Sequence, residues 1–438
     1  MGTQRQIALS LWGRIGFLLN RLQEKLWVRP LILCGISVLS VFVASLADWL
    51  GFPFGVPDIS ADSLETLLRI ISSSMLVIAV FAVGSMLSAY ASAANNATPR
   101  SFPVVVADDI SQNALSAFIG AFIFGIVGLI ALLNGVYGRA GRFCLFAFTI
   151  IVFTIVILSF VTWVDRIARL GRLGNTVTRL EAVAARALAN RARNPTLGAL
   201  RSENGIGVTA IYPQEVGYIQ RIDLAALQLY AQETELHMYV MLLPGSFASP
   251  RRPLVTVSAV GEKGDANDLD EERILEAFVI GTARTFYDDP RYALVVLSEI
   301  GSRALSPAVN DPGTAIHVLG SLVRLLSTWA KVLGEEEKEE QKVLFDRILL
   351  PEIAVSDMFE DAFHAIARDG ASMIEVALRL QKSLAALAAL APDLFRDAAM
   401  TQAHRALRHG EKSLRLEEDV DRLRRAAGWM LSATDPGA

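Results

Sequence analysis

Between Gly281 and His317 the chain gathers Arg284, Asp288, Asp289, Arg303, Asn310 and Asp311 among apolar neighbours. The two arginines are long cations close in sequence, and the aspartates could hold them in place or bind a cation. Val296, Leu297, Ile300 and Leu305 give 295–304 one apolar face, so this run is read as helix. Ser306-Pro307 ends it, because the proline ring pushes Ser306 out of the helical region. Asn310-Asp311-Pro312 opens a second helix, with Asp311 as N-cap, Pro312 at the first helical position and Thr314 at the third. Ile316, Leu319, Leu322 and Leu326 continue it. A helix, a corner and a capped helix would account for all of this structurally. The chemical alternative is a small anionic or phosphate-bearing ligand at the corner, where free N–H groups and the helix dipole favour negative charge. Its binding set would be Arg284, Asp289, Arg303, Ser306, Asn310, Asp311 and Thr314.

Other chemistry has less support. There is no Walker loop, no Gly-x-Ser-x-Gly and no zincin histidine pair. His317, His364, His404 and His409 have no i, i+4 partner, and His237 lies in a β-like run, so no metal site is expected. No cofactor and no catalytic residue is assigned. An enzyme that places Arg284 and Arg303 on an anion, with Asp289 or Asp311 as base, is the weakest reading, for want of a nucleophile–base pair.

The elements that must position these groups begin in a membrane. The 438 residues are 53% hydrophobic and 20% charged, with a mean hydropathy of +0.40, which fits a part-membrane protein. A net charge of −4 argues against nucleic acid as a partner. Cys34 and Cys144 fall in apolar segments, which excludes a disulfide framework. Four stretches have membrane length: 31–47, 70–94, 113–133 and 143–164. None carries a charged residue or histidine at mid-depth, which lowers a pump or proton-relay reading. Residues 1–29 read as a basic amphipathic helix on the membrane surface. The connector 51–64 carries Asp58 and Asp62 and no Lys or Arg, which marks it as outside. Arg139 and Arg142 in the second outer connector run against that rule. Ser72, Ser73, Ser74 and Ser85 make the second span polar; such hydroxyls bond to their own backbone, join helices or line a pore. In the third span Ala117, Ala121 and Gly125 form one small-residue ridge, and Ser116 with Gly120 a second, suited to close helix packing within the chain or between subunits.

Beyond the membrane, 166–195 reads as a continuing helix, with Val177, Leu180, Ala184 and Ala187 on one face. It could be a coiled-coil neck or an arginine-rich headgroup anchor. Residues 196–264 read as a small β-rich module of about four strands, with a helix over 224–232 and a tight turn at Pro244-Gly245. A polar linker, 261–270, follows. Residues 265–438 read as an α-helical domain, including helices over 271–286, 344–366, 373–390 and 397–430, with an acidic turn at 335–340. The fold expected is therefore an all-α membrane domain of four helices over 30–165, followed by a cytoplasmic α+β region.

Several pieces of the chain resemble one family. They are GTARTFYDDP from Gly281, RALSPAVNDPGTA from Arg303, TPR from Thr98, NALSAFIGAFIF from Asn113, GYIQRID from Gly217 and PGSF from Pro244. Together they resemble the bacterial inner-membrane proteins grouped as domain of unknown function 2254, over nearly the whole chain. The resemblance implies topology and no chemistry. In that family's pattern the residue after Pro-Gly is often small and acidic or polar, and a Val follows the Phe. Ser246 and Ala248 stand here, so the turn is given no ligand role. The expectation is a multi-pass inner-membrane protein with both termini cytoplasmic. It would be an oligomeric passive conduit gated by its cytoplasmic part, with Ser72, Ser73, Ser74 and Ser85 lining the pore. The alternative is a membrane-tethered sensor or scaffold with an anionic ligand or partner at 281–317. The bilayer and further copies of the chain are the expected partners.

Overall fold

The computed structural model describes residues 28–49, 57–96, 98–106, 109–169, 173–202, 208–259, 269–336 and 343–432. The surface helix expected over 1–29 lies almost wholly outside these residues, as do most of the linker and the acidic run. The chain divides into two compact units, one over Ile15–Thr176 and one that includes Val177–Ala438.

The N-terminal unit is helical: α1 (Val28–Trp49), α2 (Ala61–Asn96), α3 (Phe102–Val106), α4 (Asp109–Leu133) and α5 (Arg139–Arg169). The 22 residues of α1, at about 1.5 Å per residue, match a hydrocarbon core of about 30 Å. The second apolar segment starts its helix at Ala61, well before the expected residue 70. α4 packs against α1, α2 and α5, and its small residues are the reason. A Cβ on Gly125 would collide with the Ser72 hydroxyl and lie 3.2 Å from the Leu68 carbonyl oxygen of α2. One on Gly120 would lie 3.3 Å from Leu33 and Ser37 of α1. Both ridges are thus used inside the chain. The outer faces expose Leu31, Phe42, Val77, Phe81 and Leu158, an apolar surface far beyond what water tolerates. Asp48, at the end of α1, accepts from the N–H groups of Gly138 (2.7 Å) and Gly141 (2.9 Å) and so caps α5. Arg142 pairs with Asp58 at 3.1 Å, which neutralises one of the two arginines that break the charge rule.

The C-terminal unit is mixed α/β and mostly helical. α6 (Leu173–Arg193) leads into β1 (Ala199–Arg201), β2 (Thr209–Ile211), β3 (Gly217–Ile222), α7 (Leu224–Glu233), β4 (Leu236–Val240), β5 (Phe247–Ala248) and β6 (Val255–Ala259). Then come α8 (Glu271–Leu275), β7 (Phe278–Gly281), α9 (Pro290–Ala304), α10 (Pro312–Glu336) and β8 (Phe345–Leu350). The chain closes with α11 (Val355–Asp369), α12 (Ile374–Leu390), α13 (Pro392–Ser413), α14 (Glu417–Ala427) and α15 (Trp429–Ser432). One sheet runs β1-β8-β4-β6-β2, with β8 parallel to both its neighbours; the other runs β5-β3-β7, antiparallel. α7 is capped by Asp223, which accepts from the Ala226 N–H at 3.1 Å.

Three expectations need correction. The helix expected over 344–366 begins as strand β8, placed between β1 and β4. Buried Gln228 of α7 holds it by donating to Asp346 (2.6 Å) and accepting from the Arg347 N–H (3.0 Å). The helix expected over 271–286 is one turn, capped by Asp270, and then β7; the Phe-Val-Ile-Gly run favours strand. The sheets therefore recruit residues from beyond 264, and eight strands replace the expected four among the described residues. The segment 397–430 also breaks, at Leu414–Leu416, between α13 and α14. In α6, Val177, Leu180, Ala184 and Leu188 are fully buried in the chain itself, and Glu181 receives a bidentate pair from Arg324 of α10 at 2.6 and 2.7 Å. Most of the face that a coiled-coil neck would use is thus buried within the chain. Continuity of this helix with α5 rests on residues 170–172, outside the described residues.

Candidate functional site

The stretch from Gly281 to His317 splits into two clusters at opposite ends of α9. Its 15 residues separate them by roughly 20 Å at 1.5 Å per residue. At the C-terminal end, Asp311 is the N-cap that the sequence suggests. It accepts from the Thr314 N–H (3.0 Å) and hydroxyl (2.6 Å), and these bonds, the hydroxyl first, hold its carboxyl below the usual range. Asn310 adopts φ +49°, a left-handed turn that asparagine tolerates. Arg303 and Asn310 are exposed and Ser306 is half-buried.

At the N-terminal end, Asp289 is 2% exposed and caps α9 through the Tyr292 N–H at 3.1 Å. Arg284 grips the same carboxylate with two bonds, Nε to Oδ2 at 2.6 Å and Nη2 to Oδ1 at 3.0 Å. The guanidinium also lies 5.1 Å from the Tyr292 ring centroid. Gly245, at φ +90°, backs onto this carboxylate so closely that any Cβ would collide with it. The Pro-Gly turn, given no ligand role on sequence grounds, is a support for Asp289. The Arg284–Asp289 pair is closed, and the structure does not bring it together with Arg303, Ser306, Asn310, Asp311 or Thr314.

One residue earlier the situation changes. Asp288 and Tyr287 line a cavity of about 260 Å³ together with Asn190, Arg191, Asn194 and Leu197 from the end of α6 and the turn after it. Arg191 is 3% exposed. Its Nη2 donates to the Asp288 carbonyl oxygen at 3.1 Å, while Nη1 has no hydrogen-bond partner among the described residues. Burial pulls its basicity down, offset in part by the charges of Asp288 and Asp289. Burial likewise pushes the Asp288 carboxyl up; Arg221 and Arg191 oppose this through space, and Asp289 adds to it. Leu197 sits at φ +55°, a costly conformation for a residue with a Cβ. The sequence reading missed Arg191. Its signal was position: after Leu180, Ala184 and Leu188 the next buried step of α6 falls on an arginine.

In α2, Ser72 is buried and donates to the Leu68 carbonyl at 2.7 Å, and Ser73 is exposed and donates to the Arg69 carbonyl at 2.9 Å. Ser74 is exposed and Ser85 half-buried, so the four serines are spread round the helix.

Comparison with known proteins adds a family and no activity. A family model described as predicted membrane protein (DUF2254) matches residues 23–386. A protein of Mycobacterium tuberculosis and one of Mycobacterium bovis, both described as uncharacterized, are each 31% identical over 115 residues. That stretch is 26% of this chain and 22% of each relative. No solved structure matches.

Proposed function

Because the chain belongs to the predicted membrane protein family DUF2254, we propose that it is an inner-membrane sensor: a membrane anchor bearing a domain that binds a small polar ligand. Among the described residues five helices are long and apolar enough to cross a membrane, and we take four of them, α1, α2, α4 and α5, as spans. The fifth, α10, has a mean hydropathy of 1.3 against 2.2 to 2.9 for the others. It packs against α9 and α12 and carries the Arg324–Glu181 pair, as a core helix does. An even number of spans behind a basic N-terminal segment supports a cytoplasmic location for both termini.

The observation that carries the sensor reading is Arg191: a buried guanidinium, one of whose donors has no partner among the described residues, in a residue that lines a cavity. An unpaired buried charged donor is costly, and a ligand that accepts from it would repay that cost. The test is thermal unfolding of the full chain in detergent against a panel of small polar solutes. At a hundredfold excess over Kd a true ligand stabilises by about 2.7 kcal/mol. The shift should vanish in Asn194→Leu, which fills the cavity mouth.

An oligomeric, gated conduit is the second reading, favoured by the exposed hydroxyls of Ser73 and Ser74 on a span. It requires ion flux in liposomes that changes when Ser72, Ser73 and Ser74 become leucine. The sensor reading expects no such change.

A further inference from the structure

The cavity beside α6 has a pole of each sign. Arg191 and Asp288 both line it; Nη1 of Arg191 has no partner among the described residues, and Arg191 and Arg221 act on the Asp288 carboxylate through space. A ligand with a lone negative charge would satisfy the first and be repelled by the second. One with a lone positive charge would do the reverse. A buried charge left uncompensated is strongly unfavourable. Asn190 and Asn194 add side-chain amides, each with donors and an acceptor.

Size narrows the choice further. About 260 Å³ is below the roughly 300–1,000 Å³ of pockets for drug-sized ligands. At about 30 Å³ per water it equals roughly nine waters, room for a compact polar molecule and little else. Tyr287 at the rim is 58% exposed, so its ring is available to an uncharged substituent.

We propose, resting on the sensor reading above, that this cavity takes a small zwitterion of the α-amino-acid type. The ligand carboxylate faces the Arg191 guanidinium, the ligand ammonium faces the Asp288 carboxylate, and the amides of Asn190 and Asn194 flank both. Burial holds the empty site's Asp288 carboxyl above its ordinary value. An arriving ammonium draws it down, whereas a plain anion would push it higher.

The experiment is titration calorimetry on the full chain in detergent micelles. The probes are glycine, L-alanine and L-glutamine, with acetate, methylammonium and inorganic phosphate as single-charge controls. The expected result is saturable binding of at least one amino acid, and no binding of acetate, methylammonium or phosphate at the same concentration. Asp288→Asn and Arg191→Lys should each weaken the amino acid at least tenfold. Acetate or phosphate binding that Arg191→Lys abolishes and Asp288→Asn preserves would overturn the zwitterion assignment and leave the sensor reading intact. If no probe distinguishes the wild type from Asn194→Leu, a variant at an exposed position of the cavity wall, both ideas fall. Should Arg191→Lys fail to fold, Asp288→Asn and Asn194→Leu still decide the matter.

Discussion

Ser72 in the N-terminal unit and Arg191 in the C-terminal unit are both polar side chains buried on a helix, at 8% and 3% exposure. Ser72 returns its hydroxyl to the Leu68 carbonyl one turn back, as Ser116 and Thr149 do to Gln112 and Leu145. Such bonds are made within one helix and need nothing from a ligand. The C-terminal unit instead pairs charges between elements far apart in sequence: Arg324 with Glu181, and Arg291 with Asp357 and Asp361. Pairing of that kind can be left incomplete, and among the described residues it is so at Arg191. Local closure suits a helix in hydrocarbon; incomplete long-range closure is where a ligand can enter.

The comparison can be broken at several points. Asp289→Ala should have the largest effect. It strands Arg284 and removes the α9 cap, and loss of one partner of a buried pair costs about 3–5 kcal/mol. Denaturant unfolding of the full chain measures it; a loss under 1 kcal/mol would mean the pair is not the closed structural unit described. Gly125→Ala comes next, at about 1–3 kcal/mol for overpacking between α4 and α2. Ser72→Ala removes the atom the new methyl would strike, so the double variant should recover part of the loss in thermal melts. Additive losses would show that the two helices do not meet there.

Asp311→Ala should cost about 1 kcal/mol, the worth of a cap. The folded carboxyl lies below its ordinary value of 3.8. Its stabilisation is therefore present above about pH 4 and drains away as the pH falls through the folded value. The variant should lose that part of the acid dependence and keep ligand response. Asp288 has the opposite sign. Its raised folded value favours the folded chain at low pH and is lost as pH rises, so Asp288→Asn should remove that pH dependence while weakening binding at least tenfold. Smallest of all, Ser73→Ala should change stability by less than about 0.5 kcal/mol.

Much of this was legible beforehand. The four long apolar segments, the Asp311 cap and strands β2, β3, β4 and β6 follow from local periodicity and turn chemistry. β8 does not, because its partners β1 and β4 lie more than a hundred residues earlier and its Phe-Asp-Arg-Ile-Leu-Leu sequence suits either state. The polar stretch from Gly281 to His317 drew notice, yet its residues stand at two ends of one helix. The group that completes the cavity comes from α6, nearly a hundred residues upstream. Sequence shows which charges sit among apolar neighbours. It does not show which of them find partners.

Hydrogen–deuterium exchange of the full chain in detergent, with and without the amino acid selected by calorimetry, tests the central claim most directly. Residues 187–197 and 285–290 should slow together on adding ligand, with 304–314 unchanged. Protection confined to 304–314, or absent from 187–197, would contradict a ligand site built on Arg191.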